Sequence, residues 1–273
     1  MIQTTEKPIR ILSLGWGVQS WTLAAMAALG DIPKIDVAVH SDTTHEASGT
    51  YAHAKKWTPW LEARGIPVVT VKADNPDVIR QEHGNSVIIP AFTVSATGKR
   101  GQVRRQCTNR WKIQPIRRYM RTLLPPNPKP GSVDLVLGIS WDEALRMRTS
   151  DIKYAVNSFP LVDQRIKRSD CITYLQNNGL DVPPKSACVF CPYHSRDGWR
   201  ELKRQGGSDW NRAVAVDSNI RNKQAKKGAG WALFIHPFRE PLEKAIQIPE
   251  DVGAKQLMLG DGDPTCDSGF CFM

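Results

Sequence analysis

The sequence predicts an α/β fold built on a mostly parallel sheet, because short apolar runs alternate with helical stretches through its first half. Arg10–Leu14 and Ile35–His40 are short apolar runs typical of buried strands. The Ala- and Leu-rich stretch Val18–Leu29 between them is a predicted helix that ends at Gly30. Such a strand–helix–strand unit has parallel strands and a right-handed crossover. We therefore expect a Rossmann-like sheet with helices on both faces.

The pattern continues beyond this first unit. His45–Arg64 is a longer helical stretch with a possible break near Pro59. Ile66–Val71 and Val133–Ile139 are the third and fourth predicted strands. Ligands of such sheets bind beyond the carboxyl ends of the strands. The residues that follow each strand are therefore the first candidates for a site.

The strand pattern fades after about residue 160, which suggests a division of the chain. We expect a nucleotide-binding α/β domain over 1–160. A smaller, mainly helical subdomain that carries cysteines is expected over 161–259. Residues 260–273 are rich in Gly, Asp, Pro and Ser, and we expect a mobile tail that carries two cysteines.

The composition bounds the kind of protein. The 273 residues are 41% hydrophobic, enough for one large or two modest cores, and no run of about 18 apolar residues predicts a membrane span. The polar Met1–Arg10 lacks an apolar signal region, so we expect a cytoplasmic protein without a membrane partner. The net charge of +10 favours nucleotides, tRNA or DNA as partners. The bland alternative is a soluble protein that happens to be basic.

The first predicted strand ends in the string SLGWGVQS, residues 13–20. A glycine-bearing turn before a helix exposes main-chain N–H groups and the positive end of the helix dipole, and both favour phosphate. The string is neither a Walker loop nor a complete dinucleotide-binding motif. A plain tight turn is the alternative interpretation.

This string resembles the PP-loop of ATP pyrophosphatases, S-G-G-x-D-S, and more closely the G-x-G-V-Q-S form of phage and bacterial phosphoadenosine-phosphosulfate-reductase-like proteins. The resemblance implies a HUP-type Rossmann-like fold and phosphates held by the loop. Gly15 replaces the first Ser and Gln19 replaces the Asp, which leaves the mode of Mg²⁺ binding open. The implied nucleotide-binding residues of the loop are Ser13, Gly15, Trp16, Gly17, Val18, Gln19 and Ser20.

The second predicted strand ends in an Asp-Thr pair that is also similar to this family. The resemblance implies that Asp42 and Thr43 lie beside the nucleotide. An ordinary helix N-cap at Thr43 or Thr44 is the alternative, and the two readings are compatible.

The fourth predicted strand leads into Gly138–Arg146, which resembles the G-I-x-x-D-E-x-x-R segment of the same family. Glu143 and Arg146 are three positions apart and share a helix face. The resemblance implies that Gly138 contacts the nucleotide and that Arg146 clamps a phosphate or sulfate, with Glu143 beside it in the catalytic site. A surface ion pair worth under about 1 kcal/mol is the alternative.

A basic segment, 99–121, carries nine positive residues and no acid. Within it, Cys107–Pro115 resembles the C-T-x-x-x-K-I-x-P segment, which closes over the nucleotide in that family, so Lys112 is an implied nucleotide-binding residue. The segment also suits contact with a nucleic-acid backbone, and a solvated charged face is the plain alternative.

Six cysteines in a cytoplasmic protein indicate metal binding or catalysis rather than disulfides. Cys188 and Cys191 form a C-x-x-C knuckle, and its surroundings together with those of Cys171 resemble the reductase-like family. We expect these three and Cys107 to bind one centre. Scattered ligands and a Cys-Pro pair favour a [4Fe–4S] cluster, with Zn²⁺ as the alternative.

Cys266 and Cys271 lie in the predicted tail. Classical sulfonucleotide reductases carry a nucleophilic cysteine in a Glu-Cys-Gly-Leu-His tail, and that motif is absent from this sequence. The spacing resembles the tail of the related group instead. An exposed thiol pair can accept or relay sulfur, which makes both residues catalytic candidates, and an inert end is the alternative.

Three functions are consistent with these patterns. The first is an adenylylating enzyme that converts ATP to AMP and pyrophosphate with Mg²⁺, and activates a nucleic acid or nucleoside for sulfur transfer, with a sulfur-donor protein such as a cysteine desulfurase. The second is a reductase of adenylyl sulfate or its 3′-phosphorylated form (APS or PAPS) that releases sulfite. The third is a metal-stapled nucleic-acid-binding module without catalysis.

Overall fold

The computed structural model describes residues 7–80, 86–226 and 230–248. Its strands, in chain order, are β1 (Ile9–Ser13), β2 (Val37–Asp42), β3 (Val68–Lys72), β4 (Ile79–Arg80), β5 (Ser86–Val87), β6 (Phe92–Ser95), β7 (Arg100–Gln102), β8 (Val133–Val136), β9 (Ala155–Ser158) and β10 (Trp231–Phe234). Its α-helices are α1 (Val18–Leu29), α2 (Ser48–Glu62), α3 (Gln114–Thr122), α4 (Pro160–Asp163), α5 (Arg168–Asn177), α6 (Arg196–Gln205), α7 (Gly207–Lys226) and α8 (Leu242–Ala245). A π-helical segment, Thr108–Ile113, precedes α3, and a 3-10 helix, Trp141–Arg146, follows β8.

Within these ranges the chain forms two units. The first contains residues 7–74 and 110–186, and the second contains 75–109 and 187–248 where they are described. No helix of the described ranges is both long and apolar enough to cross a membrane.

The first unit is built on a five-stranded sheet in the order β3-β2-β1-β8-β9. Every neighbouring pair is parallel. The prediction of an α/β, Rossmann-like parallel sheet is therefore confirmed. Because all strands run the same way, the loops after β1, β2 and β8 leave from one edge of the sheet.

Alternate residues of the strands bury opposite faces of this sheet, as a period of two requires. Leu12 and Val136 pack with residues of α1, α2 and α5 in one apolar cluster. Ile11 and Val133 pack with Ile116 and Met120 of α3 in another. Helices thus cover both faces, as predicted.

The predicted elements differ from the observed ones mainly at their ends. α1 has the predicted bounds, and Gly30 ends it in the left-handed conformation, φ 90°. α2 continues through Pro59 without a break. β8 ends at Val136, three residues before the predicted end, and Leu137–Ile139 forms the start of the following loop. The edge strand β9 was not predicted, since its four residues AVNS contain no apolar run.

The second unit combines helices with two small antiparallel sheets, whose strands were not among those predicted. β6 pairs with β10 and with β7 in an antiparallel three-stranded sheet, and β4 and β5 form a two-stranded ribbon. Its α-helices are α6, α7 and α8.

The division of the chain also differs from the boundary expected at residue 160. The pairing of β6 with β10 joins a segment from the first half of the chain to one near its end. The part from 161 to 186 belongs to the first unit, because Cys171 and Leu175 of α5 pack into the core around α1. Residues 260–273, the predicted tail, lie outside the described residues.

Candidate nucleotide-binding site

The loop from Ser13 to Ser20 joins β1 to α1 and is held by its own hydrogen bonds. The N–H of Gly15 donates to Oγ of Ser20 at 3.2 Å, and the same hydroxyl donates to the carbonyl of Gly17 at 3.2 Å. The N–H of Leu14 donates to the carbonyl of Val39 on β2 at 2.9 Å. The hydroxyl of Ser20 thus closes the loop on itself.

Trp16 takes a left-handed backbone conformation, φ 55°, within this loop. This conformation costs a bulky residue about 1 kcal/mol or more. Its ring is only 1% exposed and lies 5.8 Å, between ring centroids, from both Trp21 and His53. Burial of the ring between α1 and α2 therefore stabilises the strained backbone and orders the loop before any ligand binds.

The first turn of α1 presents main-chain N–H groups toward the end of the sheet. Gly17 is its N-cap residue and no side chain caps the helix there, and the first turn contains no acidic residue. The first N–H groups of a helix have no intrahelical acceptor, and the helix dipole is positive at that end. Residues 17–20 therefore form a region that favours an anionic group such as phosphate.

Gly138 lets the loop after β8 approach this helix end. A Cβ atom built at Gly138 would lie 2.8 Å from the main-chain nitrogen of Ser20, closer than real Cβ atoms come. Gly138 is therefore required for the close approach of two backbones, whatever its relation to a ligand.

A polar cluster joins the helix end to the 3-10 helix after β8. Nε2 of Gln19 donates to Oε2 of Glu143 at 3.2 Å, and Nη1 of Arg146 donates to the same oxygen at 2.7 Å. Nη1 of Arg168, the first residue of α5, donates to Oε1 of Gln19 at 2.9 Å. The predicted residues Gln19, Glu143 and Arg146 are thus brought together, with Arg168 added.

Burial raises the pKa of Glu143 above its ordinary value, although Arg146 and Arg168 oppose that effect. The carboxylate and the guanidinium of Arg146 form a buried ion pair rather than the exposed pair weighed from the sequence, since both side chains are 7% exposed. Such a pair is costly to break, because either partner alone would be a buried charge.

Asp42 and Thr43 lie where predicted, at the end of β2. Oδ1 of Asp42 accepts hydrogen bonds from the hydroxyl of Tyr51 and the N–H of Thr44, each at 2.7 Å. Burial raises the pKa of Asp42, but these hydrogen bonds and Lys72 outweigh it and hold that pKa below its ordinary value. Asp42 is therefore a carboxylate that orders its own loop.

Neither Thr43 nor Thr44 caps α2, which begins only at Ser48 after an N-cap residue, Ala47, whose side chain makes no cap. Oγ1 of Thr43 instead accepts the N–H of His45 at 3.3 Å. Next to this loop, Nδ1 of His40 lies 3.0 Å from the carbonyl of Leu14. Burial lowers the pKa of His40, which keeps its ring neutral and able to donate to that carbonyl.

A buried carboxylate, Glu46, connects the basic segment with the Ser13–Ser20 loop. Nζ of Lys112 lies 3.4 Å from Oε1 of Glu46, whose side chain is 2% exposed. Oγ of Ser186 donates to the carbonyl of Gly15 at 2.6 Å and lies 3.5 Å from Oε2 of Glu46. Lys112 is thereby held beside the loop, in agreement with its predicted neighbourhood.

Sequence reasoning did not assign Glu46, Ser186 or Arg168 to the site. Glu46 looked like an ordinary first residue of a helix, and Ser186 belonged to the stretch before the knuckle, where only the cysteines were singled out. Arg168 and Gln19 are 149 positions apart. No local pattern connects such residues, so only the packing of α5 beside α1 reveals their relation.

Cys171, one of the four predicted metal ligands, packs inside the first unit. Its side chain is fully buried in the core of the first unit, and burial raises the pKa of its thiol to about 11. In this structure the thiol packs among apolar side chains.

The other three predicted ligands belong to the second unit. The N–H of Cys191 donates to the carbonyl of Cys188 at 2.9 Å, so the knuckle is a tight turn, and Nε2 of His194 lies 3.0 Å from the same carbonyl. The N–H of Cys107 donates to the carbonyl of Ile88 at 3.2 Å. Within the described ranges, no three His, Cys, Asp or Glu side chains are arranged to hold a metal ion.

The expected four-cysteine [4Fe–4S] or zinc centre therefore stays a prediction. The predicted catalytic tail residues Cys266 and Cys271 lie outside the described residues.

Comparison with known proteins adds little. No protein-family model matches the sequence, and no curated protein matches it. One similar solved structure is phosphoadenylyl-sulfate (PAPS) reductase from Candida auris in its phosphate complex. The two chains are 14% identical, with a TM-score of 0.43 over 66% of this chain and 77% of that one. A likeness at this level transfers no function to this chain.

Proposed function

We propose that the chain is an adenine-nucleotide enzyme whose Ser13–Ser20 loop holds the phosphates of ATP. The observation that carries the proposal is the first turn of α1, which no side chain caps and which lies behind a loop ordered by the buried ring of Trp16. Gly17, Val18 and the residues up to Ser20 contribute through their main chain, while the N–H of Gly15 closes the loop by donating to Ser20. Asp42, Thr43, Gly138 and Lys112 order the surroundings of the phosphates.

The proposed reaction is adenylylation. An oxygen of the acceptor attacks the α-phosphorus of ATP, a new oxygen–phosphorus bond forms, and the bond to the bridging oxygen breaks. Pyrophosphate leaves with that electron pair, and the acceptor oxygen then carries AMP as a leaving group. Catalysis consists of positioning and of stabilising the charge on the phosphates by N–H groups and arginine.

The acceptor is a nucleic acid or a nucleoside in this proposal, because the net charge of +10 favours polyanions. In a second step, a sulfur nucleophile displaces AMP from the activated carbon. The sulfur is supplied as a persulfide by a donor protein of the cysteine desulfurase kind. In this step one of Cys266 and Cys271 takes over the persulfide, and its outer sulfur bonds to the carbon as AMP leaves. The other thiol then attacks the inner sulfur, which breaks the sulfur–sulfur bond, releases the thiolated product and leaves a disulfide between the two cysteines. A dithiol reductant restores the thiol pair.

Mg²⁺ neutralises phosphate charge when it is bound with ATP. The carboxylates nearest the loop already have partners: Asp42 accepts from Tyr51 and Thr44, Glu46 lies against Lys112, and Glu143 pairs with Arg146. This donor set does not fit a dedicated magnesium site. In our proposal Mg²⁺ therefore arrives on the nucleotide, and no step depends on a protein-bound metal or cluster.

Sulfonucleotide reduction is the second candidate, and the neutral side chain of Gln19 at the loop favours it, because a sulfonucleotide requires no metal-binding carboxylate there. A tail thiolate would attack the sulfur of the sulfate group and release the nucleotide. The second tail thiol would then attack that cysteine, form a disulfide and release sulfite. The thiol pair supplies both electrons.

One assay separates the two candidates. Protein purified without oxygen is incubated with Mg²⁺ and α-labelled ATP, or with adenylyl sulfate or its 3′-phosphorylated form, with and without tRNA or DNA. AMP and pyrophosphate from ATP, increased by one nucleic acid, are expected. Sulfite from a sulfonucleotide with ATP untouched would replace the first candidate by the second.

Gly17→Ala is the matched variant for this assay. A Cβ atom at Gly17 would meet only Cβ of Ser186, at an ordinary distance of 3.7 Å, so the variant is expected to fold. Lost turnover in a folded Gly17→Ala protein would mean that the substrate approaches the backbone there. Unchanged turnover would count against the loop as the phosphate site.

A further inference from the structure

Two arginines lie beside the Ser13–Ser20 loop, and their charges are balanced differently. Arg146 pairs with the carboxylate of Glu143 in a buried contact of 2.7 Å. Arg168 donates to the carboxamide oxygen of Gln19, which is a neutral acceptor. The first arginine is neutralised by its partner and the second is not.

Within the described residues, the guanidinium of Arg168 forms no ion pair. The carboxylate of Asp142 accepts a hydrogen bond from the main-chain N–H of Arg168 at 3.0 Å, and not from its guanidinium. This bond holds the start of α5. A guanidinium stays protonated at any physiological pH. A positive charge on Arg168 is therefore kept, half-buried, next to the first turn of α1.

The neighbours of Gln19 fix which way its carboxamide faces. Its Nε2 donates to Oε2 of Glu143 at 3.2 Å, and a carboxylate can only accept. The oxygen is therefore the atom that faces Arg168. A carboxylate at position 19 would repel Glu143 and neutralise Arg168, whereas glutamine does neither.

We propose that Arg168, rather than Arg146, binds the terminal anionic group of the substrate, and that Gln19 keeps this arginine available by orienting it without neutralising it. The group is the phosphate chain of ATP or the sulfate of a sulfonucleotide, since both present the oxygens that a guanidinium binds bidentately. The identity of the nucleotide rests on the proposed function. The anion-binding role of Arg168 rests on its charge and position.

The test is calorimetric titration of inorganic pyrophosphate, AMP, ATP and adenylyl sulfate into the full chain. Arg168→Gln is expected to weaken ATP and pyrophosphate binding by about tenfold or more, and AMP binding by less than about threefold, because a charged hydrogen bond is lost at the end of the phosphate chain. Arg168→Lys keeps the charge and is expected to retain part of the affinity. A loss confined to adenylyl sulfate would identify the sulfate as the group bound.

Two further variants control the experiment. Arg64→Gln removes the same charge from an exposed residue just beyond α2, where the guanidinium lies 3.9 Å from the ring centroid of Trp60, and is expected to leave all affinities unchanged. Gln19→Glu is expected to weaken ATP binding although Arg168 is still present. Thermal unfolding checks that each variant is folded.

Equal affinities in Arg168→Gln and Arg64→Gln for all four ligands would overturn the inference while leaving the proposed function standing. Pyrophosphate binding that depends on Arg168, together with no cleavage of ATP, would support the inference and contradict the proposed function. Failure of the wild-type chain to bind any of the four ligands would contradict both.

Discussion

The main chain of Gly138 lies so close to that of Ser20 that a Cβ atom at position 138 would stand 2.8 Å from the Ser20 nitrogen and 3.0 Å from its Cα. Both neighbours are backbone atoms, which cannot turn away as the end of a flexible side chain can. The loop after β8 and the first turn of α1 therefore fit together only while residue 138 has no side chain.

Gly138→Ala should displace the first turn of α1 and weaken nucleotide binding by at least about tenfold, with a loss of about 1–3 kcal/mol in the free energy of unfolding, as is common for overpacking. Nucleotide titration and chemical denaturation measure the two effects. Gly230→Ala is the matched control, because a Cβ there meets no atom within 4 Å. Equal behaviour of the two variants would contradict the close approach.

The buried pair of Glu46 and Lys112 should be strongly coupled. Glu46→Gln is expected to cost about 3 kcal/mol of unfolding free energy, because it leaves the charge of Lys112 largely buried. In a double-mutant cycle with Lys112→Met, the interaction energy should exceed about 1 kcal/mol. The exposed pair of Glu240 and Lys244 is the control, expected below about 0.5 kcal/mol. Equal coupling in the two pairs would refute the buried contact.

His53 should make the protein less stable in mild acid. Burial lowers its pKa from 6.5 to about 4. Between these values the unfolded chain binds a proton that the folded chain does not, so the free energy of unfolding should decrease as the pH falls through this window. Nε2 of His53 is buried and has no hydrogen-bond partner among the described residues, so a phenyl ring should fit without leaving a polar group unsatisfied.

His53→Phe is therefore expected to be at least as stable as the wild type at pH 7.5. Its free energy of unfolding should also change less between pH 6.5 and pH 4.5. Part of the slope should remain, because burial also lowers the pKa of His236, to about 3. Denaturation curves over this range test the point, and parallel pH profiles for the two proteins would show that His53 does not titrate as described.

How far the sequence predicts the fold is clearest in the first unit. The helix from Val18 to Leu29 was predicted at its true bounds, because Gly17 and Gly30 mark its two ends and its composition is strongly helical. The position of the candidate residues beyond the carboxyl ends of the strands followed from the rule for parallel sheets. β9 was not predicted because it is an edge strand with an exposed residue, Val156, and therefore contains no apolar run.

The site was predicted in its local parts and missed in its long-range parts. Gln19, Glu143 and Arg146 were each found from short motifs, but the bond from Arg168 to Gln19 depends on the packing of α5 beside α1. Cys171 was expected to bind a metal because its surroundings resemble the reductase-like family. Its burial against α1 depends on tertiary packing. A single sequence does not distinguish a cysteine that packs in a core from one that binds a metal.

Cys171→Ala should therefore act on stability and leave metal content unchanged. A loss of about 1 kcal/mol in unfolding free energy is typical for such a change in a core. Iron and zinc per chain, measured by elemental analysis after purification without oxygen, should equal those of the wild type. A loss of iron in the Cys171→Ala variant would instead support the four-cysteine centre.

The most direct test of the central claim is an experimental structure of the chain with a non-hydrolysable ATP analogue. The phosphate oxygens should lie about 3 Å from the main-chain nitrogens of residues 17–20, with the end of the phosphate chain at the guanidinium of Arg168. An analogue bound elsewhere, while the Ser13–Ser20 loop contacts no phosphate, would contradict the account.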